Sequence, residues 1–259
     1  MTRKTGLLVV LAMALLSVPT FAANDGQGEF ASQSSWLQPA KDDVLVRLTE
    51  WIGKMGVADE QRAELLGMID PVAKYDQLEL LELVCRCIGQ VDADASSLLT
   101  TCQLANRPSI LPDTDWLANS SLGSWSSGNL RLLYGRWLSQ HKYYDEALAQ
   151  LADLTPENVV DPATLLFYQG VSHHQLLQKD ECLDVVTRLL ENRDLIPRRY
   201  STVAELMYAD LKPLKEDSLD EISRMMANVE RRLALGRAGK RVRTEEEEIL
   251  AKLDKMIEE

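Results

Sequence analysis

From Asp42 onward, apolar residues recur three and four positions apart, the spacing of one face of a helix. Val44, Leu45, Leu48, Trp51 and Ile52 form the first such face, with Asp42 or Asp43 as its cap and Gly53 and Gly56 marking the turn after it. Asp59 caps a second helix carrying Ala63, Leu65, Leu66 and Ile69, and Pro71 closes it. A third carries Leu78, Leu81, Val84, Cys85 and Ile88. A fourth starts at Asp94 or Ser96 and carries Leu98, Leu99, Cys102 and Leu104. Residues 106–128 break the pattern, since Pro108, Pro112, Gly123 and Gly128 preclude a long helix. Ile110, Leu111, Trp116, Leu122 and Trp125 are too apolar for a free linker, so an ordered loop is expected there. Helical spacing resumes over 129–141, 144–154, 162–177 and 180–191, and again over about 218–235 and 244–259.

Two of these stretches repeat each other. Laying Leu130–Leu154 over Leu165–Leu189, at an offset of 35, matches Leu130, Gly135, Gln140, Asp145, Glu146, Leu148 and Leu154 with Leu165, Gly170, Gln175, Asp180, Glu181, Leu183 and Leu189. Unrelated segments of this length share roughly one or two identities. A period in this range predicts stacked helical hairpins, each of which needs its neighbours to bury its apolar face. A degenerate third hairpin is expected at an offset of about 40, where Met207-Tyr208 echoes Phe167-Tyr168 and Asp220-Glu221-Ile222 echoes Asp180-Glu181-Cys182.

The amino terminus reads differently. Arg3 and Lys4 precede an apolar run from Leu7 to Leu16, then Pro19 and the small-residue pattern Thr20-Phe21-Ala22. This predicts a signal peptide over 1–22, a flexible leader over 23–40, and export to the periplasm or cell envelope. No other segment has the ~20 apolar residues that a bilayer requires, so no transmembrane segment is expected in the mature chain. Removing residues 1–22 takes away Arg3 and Lys4 and no acid, which moves the net charge from −12 to −14. Such a surface argues against nucleic acid as a partner.

Export makes disulfides feasible for Cys85, Cys87, Cys102 and Cys182. Cys85 and Cys87 point apart on a helix. Either one reaches Cys102 if the flanking helices form a hairpin; buried free thiols are the alternative.

The region 128–191 resembles tetratricopeptide repeats (TPR), paired helices of about 34 residues with small residues at the helix A–helix B contact. Gly135 and Ala147 stand twelve apart with Tyr143 and Tyr144 near the turn, and Gly170 and Cys182 repeat the spacing. The Pro that usually closes such a repeat is displaced to Pro156 and Pro162. The resemblance implies an all-α fold of antiparallel hairpins stacked as a right-handed solenoid. N-terminal hairpins would occupy 41–105, the repeats 129–235, and a C-terminal amphipathic or coiled-coil helix 244–259. It also implies a concave groove lined by helix A. By position the groove residues are Asn129, Arg136, Ser139 and Gln140, then Thr164, Val171, His174 and Gln175, a set that hydrogen-bonds an extended peptide or is merely solvated.

Signs of catalysis are lacking. His173 and His174 are adjacent and diverge on a helix, so they do not make a two-histidine metal face. No nucleophile elbow, Walker loop or dinucleotide fingerprint occurs. No metal and no cofactor is expected. Arg231, Arg232, Arg237, Lys240, Arg241 and Arg243 form a basic stretch ahead of Glu245–Glu248, suited to local pairs such as Arg241–Glu245 or to an anionic polymer or neighbouring acidic subunit. The expectation is an exported, non-enzymatic scaffold or adaptor that holds a protein or peptide partner. The alternative is an envelope structural protein self-associating through Thr244–Glu259.

Overall fold

A computed structural model of the chain describes residues 34–258 apart from Pro71, Asn106, Ser109 and Ser120. The expected signal peptide, most of the leader and the closing Pro71 lie outside these residues. Among the described residues there are eleven α-helices and no strand. They are α1 (Lys41–Lys54), α2 (Asp59–Gly67), α3 (Gln77–Val91), α4 (Ala93–Cys102), α5 (Ser124–Gln140) and α6 (Tyr144–Leu151). Then follow α7 (Pro162–Gln175), α8 (Lys179–Leu190), α9 (Arg198–Leu211), α10 (Leu219–Ala234) and α11 (Lys240–Glu258). None of them is long and apolar enough to cross a membrane.

Caps explain several boundaries. Asp76 accepts from Glu79 N at 2.8 Å while Glu79 accepts from Asp76 N at 2.8 Å, a capping box that starts α3. Asp92 caps α4 instead of Asp94 or Ser96, accepting from Ala95 N at 2.8 Å. Asp161 caps α7 with Pro162 in its first turn. Helix α11 begins at Lys240, four residues ahead of the expected 244, and the Thr244 hydroxyl donates back to Lys240 O at 3.2 Å from inside the helix. Helix α5 starts at Ser124, five residues ahead of Asn129, because Gly123 turns the chain at φ +86° and Trp125, Ser126 and Ser127 are buried.

The helices stack in chain order. α3, α5, α7 and α9 contact one another in succession, and α4, α6 and α8 each pack against the helix before and the helix after. One apolar core runs from Val44 in α1 through to Leu165 in α7. The loop before α5 joins it: Leu117 and Leu122 are buried, and Trp51 Nε1 donates to Leu122 O at 2.9 Å.

The two repeats share geometry as well as residue types. A Cβ on Gly135 would lie 2.6 Å from the side chain of Leu151, and one on Gly170 would lie 2.9 Å from Val186. Both partners sit sixteen residues after their glycine. The turns match too: Lys142 (φ +67°) and Leu177 (φ +59°) are both left-handed, and the next amides, Tyr143 N and Gln178 N, donate to Leu138 O at 2.9 Å and His173 O at 3.0 Å. That bond pattern closes a helix C-terminus and reverses the chain.

The expected third hairpin does not close. At an offset of 40 the glycine position is Asp210, which cannot admit a second helix at close range. α10 makes little backbone contact with α9 and instead forms an antiparallel hairpin with α11. That hairpin has a small core of its own, Ile222, Val229, Val242 and Ile249. Lys252 clamps its open end, donating to Asp217 at 2.6 Å and to Glu221 at 2.8 Å.

Charge pairs attach this hairpin to the body. Asp145, at the start of α6, pairs with Arg232 at 2.8 Å, Arg241 at 2.9 Å and Arg231 at 3.6 Å, while Arg237 meets Glu146. Arg232 is only 4% exposed and also faces Glu245 at 3.3 Å. The guanidinium of Arg231 lies over the Tyr144 ring at 5.0 Å. Most of the basic stretch is therefore occupied inside the molecule. A polar strap adds a second long-range tie. Residues 34–40, expected as the end of a flexible leader, are held because Trp36 is buried and its Nε1 donates to Arg188 O at 2.7 Å.

Two outcomes follow from this packing. Gly135→Ala forces Leu151 to move and is expected to cost ~1–3 kcal/mol in urea unfolding, the usual range for overpacking; an unchanged midpoint would show that the contact is slack. Asp145→Ala leaves Arg232 buried beside one carboxylate and is expected to cost about 3 kcal/mol. Hydrogen exchange should then speed up in α10 and α11 and stay unchanged in α3 and α5.

Candidate functional site

The eight groove positions separate into three groups. Asn129 is fully buried: its amide donates to Trp125 O at 2.8 Å and its Oδ1 accepts from Val160 N at 2.8 Å. Thr164 is equally buried, with its hydroxyl 2.5 Å from Asp161 Oδ2 and 3.0 Å from Tyr200 Oη. Ser139 is buried against Ser172, their hydroxyls 3.5 Å apart. These three are structural clips between helices, because a buried polar group must find its partner inside the protein. They are not available to a ligand. Val171 is half-buried in α7.

The remaining four fall into two hollows, each of about 260 Å³. The first lies between α3, α4 and α5 and holds Arg136 and Gln140 with Glu82, Arg86, Cys102 and Trp137. Arg136 pairs with Glu82 at 3.5 Å, and Gln140 Nε2 donates to Tyr168 Oη at 2.9 Å. Trp137 stacks on His141 with ring centroids 4.2 Å apart. The second holds His174 and Gln175 with Lys142, Tyr144, Arg224, Asn228 and Arg231. Here His174 Nε2 is 2.9 Å from Asp210, and Arg224 grips the same carboxylate at 2.6 and 2.9 Å. Hydrogen bonds from Arg224, then from His174, hold the Asp210 carboxyl down at about 2 against desolvation.

Arg224 and Arg231 come from α10, outside the two matched repeats. Helical spacing marks α10, but nothing in it says that the helix folds back beside α6 and α7. Glu82 and Arg86 were missed for a similar reason: the N-terminal hairpins carry no repeat that would align them with α5.

The four cysteines are free thiols. Of the two arrangements open to Cys85, Cys87 and Cys102, a disulfide or free thiols, the structure has the free thiols. Cys85 packs on α5, its thiol 3.5 Å from Asn129 O. Burial raises Cys85 well above the ordinary thiol range, Cys87 to about 11, and Cys102 and Cys182 to about 12. None is a thiolate near neutral pH. Among the described residues no three His, Cys, Asp or Glu side chains converge as a metal site. The two hollows can hydrogen-bond and pair charge.

The fold and these hollows define the class: an all-helical protein of packed helices with polar side chains presented between them. Neither a protein-family profile, nor a curated protein, nor a solved structure matches this chain.

The carboxyl of Asp210 has a stability signature. Its folded value is depressed, so its contribution is present above the unfolded value of about 3.9 and is lost as pH falls through about 2. Asp210→Asn should flatten the fall in melting temperature between about pH 4 and 2 relative to the native chain. An equally steep fall would mean that Asp210 is not held by Arg224 in solution.

Proposed function

We propose that this chain is an exported, non-enzymatic adaptor whose TPR-like hairpins, stacked as a right-handed solenoid, hold a protein or peptide partner. The observation that carries the reading is the repeat of one close-packed hairpin, Gly135 on Leu151 and Gly170 on Val186, with a left-handed residue at each turn. Repetition sets successive helices at a constant spacing, and an extended partner matches that spacing. Arg136, Gln140, His174 and Gln175 stand in accessible hollows rich in hydrogen-bond donors, and this supports recognition of polar side chains or backbone. The acidic balance of the chain and the raised thiols fit binding better than nucleophilic chemistry.

Assembly through the C-terminal helix stands second. Ile249 of α11 is buried against α10, and Leu253 and Met256 pack on the same small core, so much of its apolar stripe is already used.

The test is capture from envelope extract by the mature chain, followed by titration of the captured partner. Arg136→Ala with Gln140→Ala empties the first hollow, and His174→Ala with Gln175→Ala the second. Each polar contact is worth ~0.5–1.5 kcal/mol, so a used hollow should weaken binding about tenfold or more. Undiminished binding by the fourfold variant, folded as judged by circular dichroism, would sink the groove reading. The export half is checked by mass spectrometry of the envelope fraction, where an N-terminus at Ala23 is expected.

A further inference from the structure

The outer side of the α10–α11 hairpin carries an apolar groove of about 700 Å³, floored by Val229 and Ile249 and rimmed by Met226, Leu233 and Leu250. Met226 is 54% exposed and Leu250 is 61% exposed. Its origin lies in the broken repeat. At the offset of 40, Val186 and Leu190 of α8 correspond to Met226 and Glu230 of α10. In α8 both are buried; in α10 both are exposed, because no helix lies where α7 lies in the preceding hairpin.

From this we infer that the groove is the docking site for a basic, amphipathic helix of a partner protein. The spacing argues for a helix. Leu219, Met226 and Leu233 recur every seven residues on α10, and Leu250 and Ile257 stand seven apart on α11, all of them exposed. A stripe of period seven receives a helix laid along it. Leu233 lies fourteen positions after Leu219, about 21 Å or four turns along the helix.

The charge argues for a basic partner and against a second copy. Glu230 and Glu246 line the groove, and no ion pair among the described residues engages either. Beyond the groove α11 exposes Glu247, Glu248, Asp254 and Glu258 beside the cations Lys240, Arg241, Arg243 and Lys255, so the purely acidic lining belongs to the groove itself. Two copies face to face would set the groove carboxylates against each other, in a chain already at net −12. Lysines or arginines flanking an apolar stripe would meet Glu230 and Glu246 instead. The inference depends on the adaptor reading only in requiring a protein partner, and it uses neither polar hollow.

The experiment uses fluorescence anisotropy with the whole mature chain and two labelled synthetic peptides. Each is an amphipathic helix of about three heptads with leucine on the stripe. One is flanked by lysine and the other by glutamate. The lysine peptide is expected to bind at least about tenfold more tightly than the glutamate peptide and to weaken as salt is raised. The paired variant Met226→Lys, Leu250→Lys changes exposed positions, so the fold should persist; it should lose at least about tenfold in affinity. Arg136→Ala with His174→Ala should bind the lysine peptide as the native chain does, which separates failure here from failure of the hollows. The inference is overturned if the lysine peptide does not bind, if both peptides bind alike, or if the groove variant binds normally. It is equally overturned if sedimentation shows a native dimer that Leu250→Lys dissociates.

Discussion

The absence of a side chain at Gly135 and Gly170 sets the spacing on which the rest of the molecule depends. A methyl group there would overlap Leu151 and Val186, so these glycines allow α5 and α7 to lie directly against the helices that follow them. Close approach buries Ala147, Leu151, Cys182 and Val186, and the left-handed turns at Lys142 and Leu177 return the chain at the angle this requires. Once two hairpins adopt the same geometry, α3, α5, α7 and α9 fall into contact in succession and the apolar core becomes continuous. The buried clips Asn129 and Thr164 hold the register between layers, each with its polar atoms satisfied.

The same constraint explains where the stack ends. Asp210 occupies the third glycine position, and a carboxylate cannot sit in a close helix contact without a cation. It is met by Arg224 and His174 at the edge of a hollow. Helix α10 leaves the array, pairs with α11, and returns to the body through the arginines around Asp145. A structural failure of the repeat thus produces both the second polar hollow and the apolar groove on the far side of the hairpin.

Much of the candidate site was hidden for the same reason. Position within the repeat selects helix A residues but cannot say which of them a neighbouring hairpin covers. Asn129, Ser139 and Thr164 are covered, whereas Arg136, Gln140, His174 and Gln175 are not, although all seven are polar residues on comparable helices. Arg224 and Arg231 complete a hollow with residues some fifty to ninety positions earlier in the chain. No local pattern encodes such a meeting. The basic stretch was visible as a run of charge, yet its partners are acids at the start of α6.

What the sequence by itself determined is local and periodic. Apolar spacing places the helices, and the matched glycines at an offset of 35 declare two equivalent hairpins, because helix geometry and steric volume act over neighbouring turns. The tertiary structure decided what depends on distant segments sharing space. It chose free thiols over a disulfide, assigned three polar residues to the interior, tied Trp36 to the end of α8, and folded α10 and α11 together rather than onto α9. Those outcomes turn on desolvation and charge pairing between parts of the chain far apart in sequence, and such energies exist only once the helices have met.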